Sequence, residues 1–304
     1  MSDACCCAKG ERKLPEWFRQ EVPDAAALQK MRALLKGNGL HTVCEGARCP
    51  NLGECWESGT ATFMILGDTC ARGCRFCAVK SGEPQLPDAD EPLAVADAVR
   101  RLGLRYVVVT SVTRDDLADQ GAFQFVRTVQ ALRAVNSGVH IELLIPDFSG
   151  EEDLLRFIVE AAPDVIGHNI ETVRRISASV RPVAGYDRSL DVLRRVRGLS
   201  KRVFVKSGLM AGMGETDEEI IATLQDLKDA GCDIVTVGQY LAPEKGGRHV
   251  PVERFVPPEG FERYREEGLR RGLKHVFAGP LVRSSYLAEK GFQCCQGARG
   301  ALVG

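Results

Sequence analysis

The stretch that decides the fold reads Ala61-Thr-Phe-Met-Ile-Leu66 and continues, after three residues, as Cys70-Ala-Arg-Gly-Cys74-Arg-Phe-Cys77. Its first part is an apolar run long enough for a buried strand. Its second part places three thiols, here called the Cys70 triplet, within eight residues. A [4Fe–4S] cluster normally takes four cysteine ligands, so a loop with three leaves one iron open to a group that is not protein. We therefore predict a strand that leads directly into a metal-binding loop.

Other kinds of thiol site fit this spacing less well. Structural zinc sites usually take two pairs of Cys or His, and no second matching pair lies near Cys77. A disulfide framework is typical of small secreted domains, whereas this chain has 304 residues. An iron–sulfur cluster is therefore the preferred interpretation.

Composition is that of a soluble α/β protein, with 44% hydrophobic and 27% charged residues. The 40 basic and 41 acidic residues give a net charge of −1, which favours neither a nucleic acid nor a membrane as partner. The sequence begins without the apolar core of a signal peptide, and no run approaches the ~18 apolar residues of a membrane span. With 12 cysteines, a reducing cytoplasm and metal-bound thiols form the consistent interpretation.

A second group of thiols, here called the Cys44 triplet, precedes the first and consists of Cys44, Cys49 and Cys55. Glycine and proline between these thiols favour a loop that wraps a ligand over a helix. We predict a second cluster here, whose fourth ligand must come from elsewhere in the chain. The remaining clustered cysteines, near the two chain ends, have no predicted role; they are Cys5, Cys6, Cys7, Cys294 and Cys295.

From residue 61 onward, short apolar runs alternate with segments of helical periodicity, which predicts a parallel sheet with right-handed crossovers. Six runs are long enough for buried strands: Thr62–Leu66, Tyr106–Thr110, Ile141–Ile145, Asp164–His168, Arg202–Lys206 and Asp233–Val237. Six units without a clear seventh and eighth predict an α/β fold with a partial (β/α)6 TIM-like barrel. We expect an N-terminal extension over residues 1–60, the barrel over 61–280 and a C-terminal segment over 281–304.

In such barrels the chemistry gathers at the carboxyl ends of the strands. Polar segments follow three of the predicted strands, at Thr110–Asp116, His168–Glu171 and Lys206–Glu215. We predict that His168 is a hydrogen-bonded residue without a catalytic role and that Cys232 is a buried structural thiol. Capping boxes are predicted at Ser149 and Thr216, and the long loop Gly238–Pro251 is expected to cover the substrate.

These motifs carry a resemblance to known enzymes. The spacing of the Cys70 triplet, with an aromatic residue before its last cysteine, resembles the signature of the radical S-adenosylmethionine (SAM) enzymes. The whole set resembles the lipoyl synthase family, through both triplets and five further segments: Thr113-Arg-Asp-Asp116, His168-Asn-Ile-Glu-Thr172, Lys206-Ser-Gly-Leu-Met210, Gly238-Gln-Tyr240 and Arg283-Ser-Ser-Tyr286. Two features depart from the family pattern, namely Leu287, where many relatives carry histidine, and the cysteine-rich ends.

The resemblance implies a barrel of the radical SAM type with two [4Fe–4S] clusters and SAM as cofactors. The Cys70 triplet would hold the cluster whose open iron binds SAM, and the Cys44 triplet would hold an auxiliary cluster. A serine of Arg-Ser-Ser-Tyr would be the fourth auxiliary ligand, which we assign to Ser285, with Ser284 as the alternative. By position, Glu171 and Ser207 are candidate contacts to the ribose or methionine part of SAM. Arg283 is predicted to order the serine loop.

The implied reaction is the insertion of two sulfur atoms, supplied by the auxiliary cluster, at C6 and C8 of an octanoyl chain on a carrier-domain lysine. Those carbons have no acidic proton, so a radical must abstract hydrogen. Because its cluster supplies the sulfur, Ser285 is also predicted to be a catalytic residue. An alternative is another radical SAM sulfur-inserting enzyme, similar to biotin synthase, which would not need the Cys44 triplet. A non-enzymatic iron–sulfur carrier is the alternative from another class, and normally has both clusters fully ligated by cysteine.

The implied partners are an octanoylated lipoyl-carrier domain, an electron donor such as flavodoxin or ferredoxin, and a protein that resupplies the cluster. The carrier domain would belong to a 2-oxoacid dehydrogenase E2 subunit or to the glycine cleavage H protein. Candidate basic surfaces for the carrier are Arg194–Arg197 with Lys201–Arg202, and Arg263–Lys274.

Overall fold

The computed structural model describes residues 14–19, 61–244 and 247–300, and from the segment between 20 and 60 it describes 29, 32, 33, 35, 37–46, 49, 51, 52 and 55. Cys5, Cys6 and Cys7 lie outside the described residues.

One sheet of eight strands organises the chain, in the order β1-β2-β5-β6-β7-β8-β9-β10. The strands are β1 (His41–Thr42), β2 (Thr62–Ile65), β5 (Tyr106–Ser111), β6 (His140–Leu144), β7 (Val165–Gly167), β8 (Phe204–Ala211), β9 (Ile234–Gln239) and β10 (His275–Gly279). β1 pairs with β2 in the antiparallel sense, and every later neighbour pair is parallel. Among the described residues β1 and β10 do not pair, so the barrel stays open. Two short strands, β3 (Thr69–Cys70) and β4 (Lys80–Ser81), form a separate parallel pair.

Helices connect the parallel strands and cover the outside of the sheet. Their bounds are α1 (Val43–Gly46), α2 (Glu91–Leu102), α3 (Ala122–Val135), α4 (Glu152–Glu160), α5 (Arg174–Val180), α6 (Tyr186–Leu199), α7 (Asp217–Asp229), α8 (Pro258–Arg270) and α9 (Ala288–Gly300). Short 3-10 turns lie at Glu16–Phe18 and Phe148–Gly150. The buried β-branched runs of the strands, such as Val107 to Val109, explain why these segments extend instead of forming helices. The predicted partial α/β barrel is confirmed.

The structure corrects three details of the sequence prediction. A seventh parallel strand, β10, was missed because most of its residues are only half-buried and it carries no long apolar run. β8 continues to Ala211, so Ser207 belongs to the strand and not to a loop after it. The capping box at Thr216 is confirmed. The one at Ser149 is wrong, since α4 begins after Glu151 and Ser149 lies in the preceding 3-10 turn with a φ of 50°.

The C-terminal helix α9 closes the barrel at the amino ends of the strands. Phe292 packs against Tyr106 and Phe204, with ring centroids 5.7 Å apart in each case. Cys295 is buried in the same apolar cluster, so this thiol has a packing role. The opposite end of the barrel, where the strands have their carboxyl ends, is left for the active site.

A buried charged pair crosses the interior of the barrel. Lys206 Nζ lies 2.7 Å from a Glu142 carboxylate oxygen, and the Tyr106 hydroxyl donates to the other oxygen at 2.5 Å. Both charged side chains are at most 4% exposed. Burial and the neighbouring carboxylate raise the pKa of Tyr106 well above its ordinary value, so this hydroxyl remains a donor. A pair buried this deeply is destabilising once either partner is lost.

We predict that Lys206→Met lowers the free energy of unfolding by about 3 kcal/mol, because the Glu142 carboxylate then stays buried without its cation. The double variant Lys206→Met/Glu142→Gln should regain at least half of this loss, since no uncompensated charge remains. Urea unfolding followed by circular dichroism measures both variants. A loss below about 1 kcal/mol for the single variant, the size typical of an exposed pair, would contradict the prediction.

Candidate active site

The Cys70 triplet lies on a loop whose base is closed by the β3–β4 pair. Thr69 pairs with Lys80 and Cys70 with Ser81, and the Gly82 amide donates to the Cys70 carbonyl at 3.1 Å. The loop follows β2, so the thiols stand at the carboxyl end of the sheet as the sequence predicts. All three thiols line one cavity of about 450 Å³.

A buried arginine inside this loop fixes it to the neighbouring strand ends. Arg72 donates to both Asp115 oxygens, at 2.6 and 2.8 Å, and forms an ion pair with Asp147 at 2.8 Å. Asp115 follows β5 and Asp147 follows β6. Burial works to raise the pKa of Asp147, but the hydrogen bond and charge of Arg72 outweigh it and hold this pKa below its ordinary value. Sequence reasoning missed Arg72, although its place inside the triplet was a usable signal.

The thiols of this site are partly buried, and burial shifts their pKa values. Burial raises the pKa of Cys77 to about 11, and it also raises the pKa values of Cys74 and Cys49. Binding iron must therefore displace the thiol protons, because the thiolate is the form that binds a metal. The fit to a cluster comes from the donor atoms, since cysteine sulfurs are the ligands that iron–sulfur clusters take. In the described part of the chain, no three His, Cys, Asp or Glu side chains are grouped to bind a single metal ion.

The same cavity reaches part of the Cys44 triplet and the serine segment. Its wall includes Cys44, in α1, and Cys49, together with Ser284 and Ser285. Cys55 is half-buried against the core and is not on the cavity wall. The structure therefore brings five of the six predicted cysteine ligands to one cavity.

Two long-range hydrogen bonds hold the serine segment against the N-terminal part of the chain. Asn51 Nδ2 donates to the Leu281 carbonyl at 2.6 Å, across 230 positions. The Thr62 hydroxyl, at the start of β2, donates to Ser285 Oγ at 2.8 Å. Arg283 is on the cavity wall and donates to the Val282 carbonyl at 2.8 Å, which supports its predicted role in ordering this loop.

Of the two candidate SAM contacts, only Glu171 lines the cavity. Its backbone has a φ of 66°, and it bonds to β8 through the Gly208 carbonyl and the Met210 amide, at 2.9 Å each. Burial raises the pKa of Glu171, and the charge of Arg181 opposes that shift. The structure does not bring Ser207 to the cavity. Its side chain is fully buried, donates to the His168 carbonyl at 2.8 Å and accepts from the Ile170 amide, so it orders the chain before Glu171.

His168 and Cys232 have the structural roles predicted for them. The His168 ring bonds to the Ile145 carbonyl and to Ser189 Oγ, both at 3.0 Å. Burial lowers the pKa of His168 to about 4, so the ring is neutral at pH 7. Cys232 is buried in the main core.

The loop Gly238–Pro251 packs on the Cys70 loop and covers it from outside. Arg248 donates to the carbonyls of Cys77, at 3.2 Å, and Val79, at 3.1 Å, and the His249 ring bonds to the Cys77 carbonyl at 3.0 Å. The first part of the loop, from Tyr240 to Pro243, lines the cavity. One part of this loop therefore lines the cavity, as expected of a substrate cover, and the other part contacts the backbone of Cys77.

Comparisons with known proteins identify the family of this chain. The sequence profile of the radical SAM superfamily matches residues 64–227, and that of the N-terminal domain of lipoyl synthase matches residues 3–49. The lipoyl synthase of Caldanaerobacter subterraneus subsp. tengcongensis is 52% identical over 93% of this chain and 98% of its own length. That of Symbiobacterium thermophilum is 54% identical, over 91% of this chain and 86% of its own length.

Solved structures agree on the fold alone. Streptococcus suis SuiB bound to S-adenosylmethionine gives a TM-score of 0.56 at 10% identity, covering 75% of this chain and 53% of that one. HydG, a maturase of the [FeFe]-hydrogenase, gives 0.54 at 15% identity, covering 89% of this chain and 65% of that one. In the described residues no helix is both long and apolar enough to cross a membrane. On the sequence comparisons, this chain belongs to the lipoyl synthase family of the radical SAM superfamily.

Proposed function

We propose that this chain inserts two sulfur atoms, at C6 and C8, into an octanoyl group carried on a lysine of a carrier domain. The observation that carries the proposal is the shared cavity, whose wall contains the Cys70 triplet, two thiols of the Cys44 triplet and Ser285. A biotin-synthase-like enzyme would not need the second set. An iron–sulfur carrier would not need a cavity that both sets of thiols share.

The chain's own residues divide into two metal-binding sets. The Cys70 triplet would hold one [4Fe–4S] cluster and leave a position for SAM, with Glu171 as a SAM contact. The Cys44 triplet and Ser285 would hold the auxiliary cluster, and the hydrogen bond from Thr62 orients the serine oxygen. When bound, SAM and the clusters supply the radical and sulfur chemistry that unactivated carbons require.

The rest of the wall suits the substrate. Apolar side chains form much of the cavity wall, and they include Met64, Phe76, Val112, Leu144, Ile145, Met210 and Leu241. An octanoyl chain has the matching chemistry, since burying its methylenes is favourable and keeps water from the reacting carbons. Arg72 holds the Cys70 loop in register with this wall through its two aspartates.

The proposed partners follow from the reaction. The octanoylated carrier is the E2 subunit of a 2-oxoacid dehydrogenase or the glycine cleavage H protein, and a flavodoxin or ferredoxin supplies electrons. A further protein resupplies the auxiliary cluster, whose sulfides are consumed. In this proposal the chain has three parts. The extension that holds the auxiliary cluster is residues 1–60, the barrel is 61–280, and the segment with the serine ligand is 281–304. Free thiols and the iron–sulfur clusters that they would hold need a reducing compartment, so the proposal places the enzyme in the cytoplasm.

Replacing all three cysteines of the Cys70 triplet by Ala should lower the iron content of reconstituted protein from about eight to about four per chain. The same variant should release no 5′-deoxyadenosine from SAM with a reductant, because the position that binds SAM is lost. Cys294→Ala, which removes an exposed thiol, is the matched control and should keep both properties. Retention of about eight irons by the triple variant would rule out these ligands. Absence of SAM cleavage in the unmodified protein would favour the iron–sulfur carrier.

Ser285→Ala should keep SAM cleavage, because the Cys70 triplet is untouched, and should lose lipoyl product by about a hundredfold. Ser284→Ala is the matched control and should retain most of the product, since the hydrogen bond from Thr62 goes to Ser285. Mass spectrometry of the carrier peptide counts the inserted sulfur atoms. Loss of product in Ser284→Ala, with normal product in Ser285→Ala, would exchange the two assignments.

Gly238→Ala should loosen the serine segment. An added Cβ would lie 2.0 Å from the Val282 carbonyl oxygen, so the backbone that leads to Ser285 must move. We expect about half of the bound iron to be lost while SAM cleavage persists. Gly198→Ala, whose added Cβ meets no atom within 4 Å, is the matched control and should load normally. Full iron content and full product in Gly238→Ala would show that the segment tolerates the shift.

A further inference from the structure

Three basic side chains surround the outer face of the Cys70 loop. Arg75 lies inside the loop, Lys80 follows it in β4, and Arg248 comes from the Gly238–Pro251 loop; all three are exposed. Arg75 donates to main-chain carbonyls. Arg248 also donates to main-chain carbonyls and, in addition, to the Ser81 hydroxyl. Within the described chain none of the three forms an ion pair, and the nearby exposed Glu83 is not paired with them either. We call Arg75, Lys80 and Arg248 the basic rim.

The surfaces proposed from sequence for a carrier differ from this rim in charge. Arg194 pairs with Asp191 at 2.7 Å, and Arg195 pairs with Glu152 at 2.9 Å. In the second stretch the cations are likewise paired; these contacts are Arg263 with Asp217, Arg265 with Glu262, Arg270 and Arg271 with Glu267, and Lys274 with Asp233. Carboxylates of the same chain thus largely neutralise the positive charge of both surfaces.

Position separates these surfaces as well. Arg194 and Arg195 lie toward the C-terminal end of α6, which runs back to the amino ends of the strands, away from the thiols. The basic rim lies directly on the Cys70 loop. Arg248 bonds to the Cys77 carbonyl, and an added Cβ at Gly73 would lie 3.1 Å from its guanidinium. A protein docked on the rim would therefore sit beside the backbone of the metal ligands.

The rim faces outward, away from the cavity. Cys74, Phe76 and Cys77 line the cavity, whereas Arg75, Lys80 and Arg248 are absent from its wall. A carrier must pass an acyl chain into the cavity, which this outer face does not offer. An electron needs only a short distance to the metal, and uncompensated positive charge attracts an acidic partner and speeds its association.

We infer that the basic rim is the docking surface for an acidic one-electron donor protein, at which the donor's reduced flavin or iron–sulfur centre gives one electron to the site held by the Cys70 triplet. The donor is oxidised by one electron and the site is reduced by one, and no bond forms or breaks at the rim. The inference rests on the proposed function, since it assumes that the triplet holds a redox-active cluster.

The test compares Lys80→Glu with Lys290→Glu. Among the residues that the structure describes, the Lys80 side chain has no hydrogen-bond or ion-pair partner, so its replacement changes charge without releasing the loop. Lys290 is an exposed lysine on α9, at the other end of the barrel, and gives the same charge change. The probe is a flavodoxin, whose affinity in the oxidised form is read from flavin fluorescence. The rate of electron transfer from its hydroquinone is read by anaerobic stopped flow.

Lys80→Glu should weaken flavodoxin binding and slow electron transfer by about tenfold at low salt, and the difference should largely disappear at about 0.5 M salt. Lys290→Glu should match the unmodified protein within about twofold. Equal affinities and rates for the two variants would overturn the inference. It would also be overturned if Lys80→Glu raised the KM for the octanoylated carrier while flavodoxin binding stayed unchanged.

Reduced methyl viologen separates this inference from the proposed function. This small cationic reductant should support 5′-deoxyadenosine formation equally in all three proteins, because it needs no docking surface. If it does so while flavodoxin binds the Lys80→Glu variant and the unmodified protein equally, the basic rim is not the docking surface and the proposed function is unaffected. If it yields no 5′-deoxyadenosine even with the unmodified protein, the proposed function fails, and the fluorescence titration still decides whether the rim binds the donor.

Discussion

The buried guanidinium of Arg72 is the interaction on which the geometry of the site depends. It lies within the cysteine motif and pairs with Asp115 and Asp147, which follow two adjacent strands. The Asp147 side chain is only 1% exposed, and its other cationic contact, Arg188 at 3.4 Å, is longer, so loss of Arg72 would leave this carboxylate poorly compensated where solvent is scarce. The thiol loop therefore cannot shift without breaking contacts to both strand ends. This dependence holds three half-buried thiols in place before any metal binds.

A second set of contacts connects parts of the chain that are far apart in sequence. Asn51 and Thr62 bond to Leu281 and Ser285, and these are single hydrogen bonds, not a packed apolar interface. Each such hydrogen bond contributes little to stability, so the serine segment must also fit closely against the strand beside it. Gly238, in β9, permits this close fit, because any side chain there would collide with the Val282 carbonyl.

The sequence predicts the six main strands because each is buried on both faces and therefore reads as a short continuous apolar run between segments of helical periodicity. It does not predict β10, whose half-buried residues at the edge of the sheet lack that pattern. Motif spacing identifies the Cys70 triplet because its ligands are local. The ionic partners of Arg72 and the bonds of Ser207 depend on tertiary packing, and no local pattern encodes them. Ser207 shows the cost of reasoning by position, since β8 continues from the predicted end at Lys206 to Ala211 and the Ser207 side chain is buried away from the cavity.

The open barrel explains how Cys44 and Ser285 reach the cavity that the Cys70 triplet lines. The two edge strands of the sheet are β1 and β10, which do not pair with one another in the described structure. β1 leads directly into α1 and Cys44, while β10 is followed within a few residues by Ser285. Asn51 bonds to Leu281 across the same gap. A closed ring of paired strands would occupy this space with backbone hydrogen bonds. Because the ring is left open, Cys44 and Ser285 line one cavity with the Cys70 triplet although they lie far apart in the sequence. The proposed reaction, in which two clusters act on one acyl chain, requires such an arrangement.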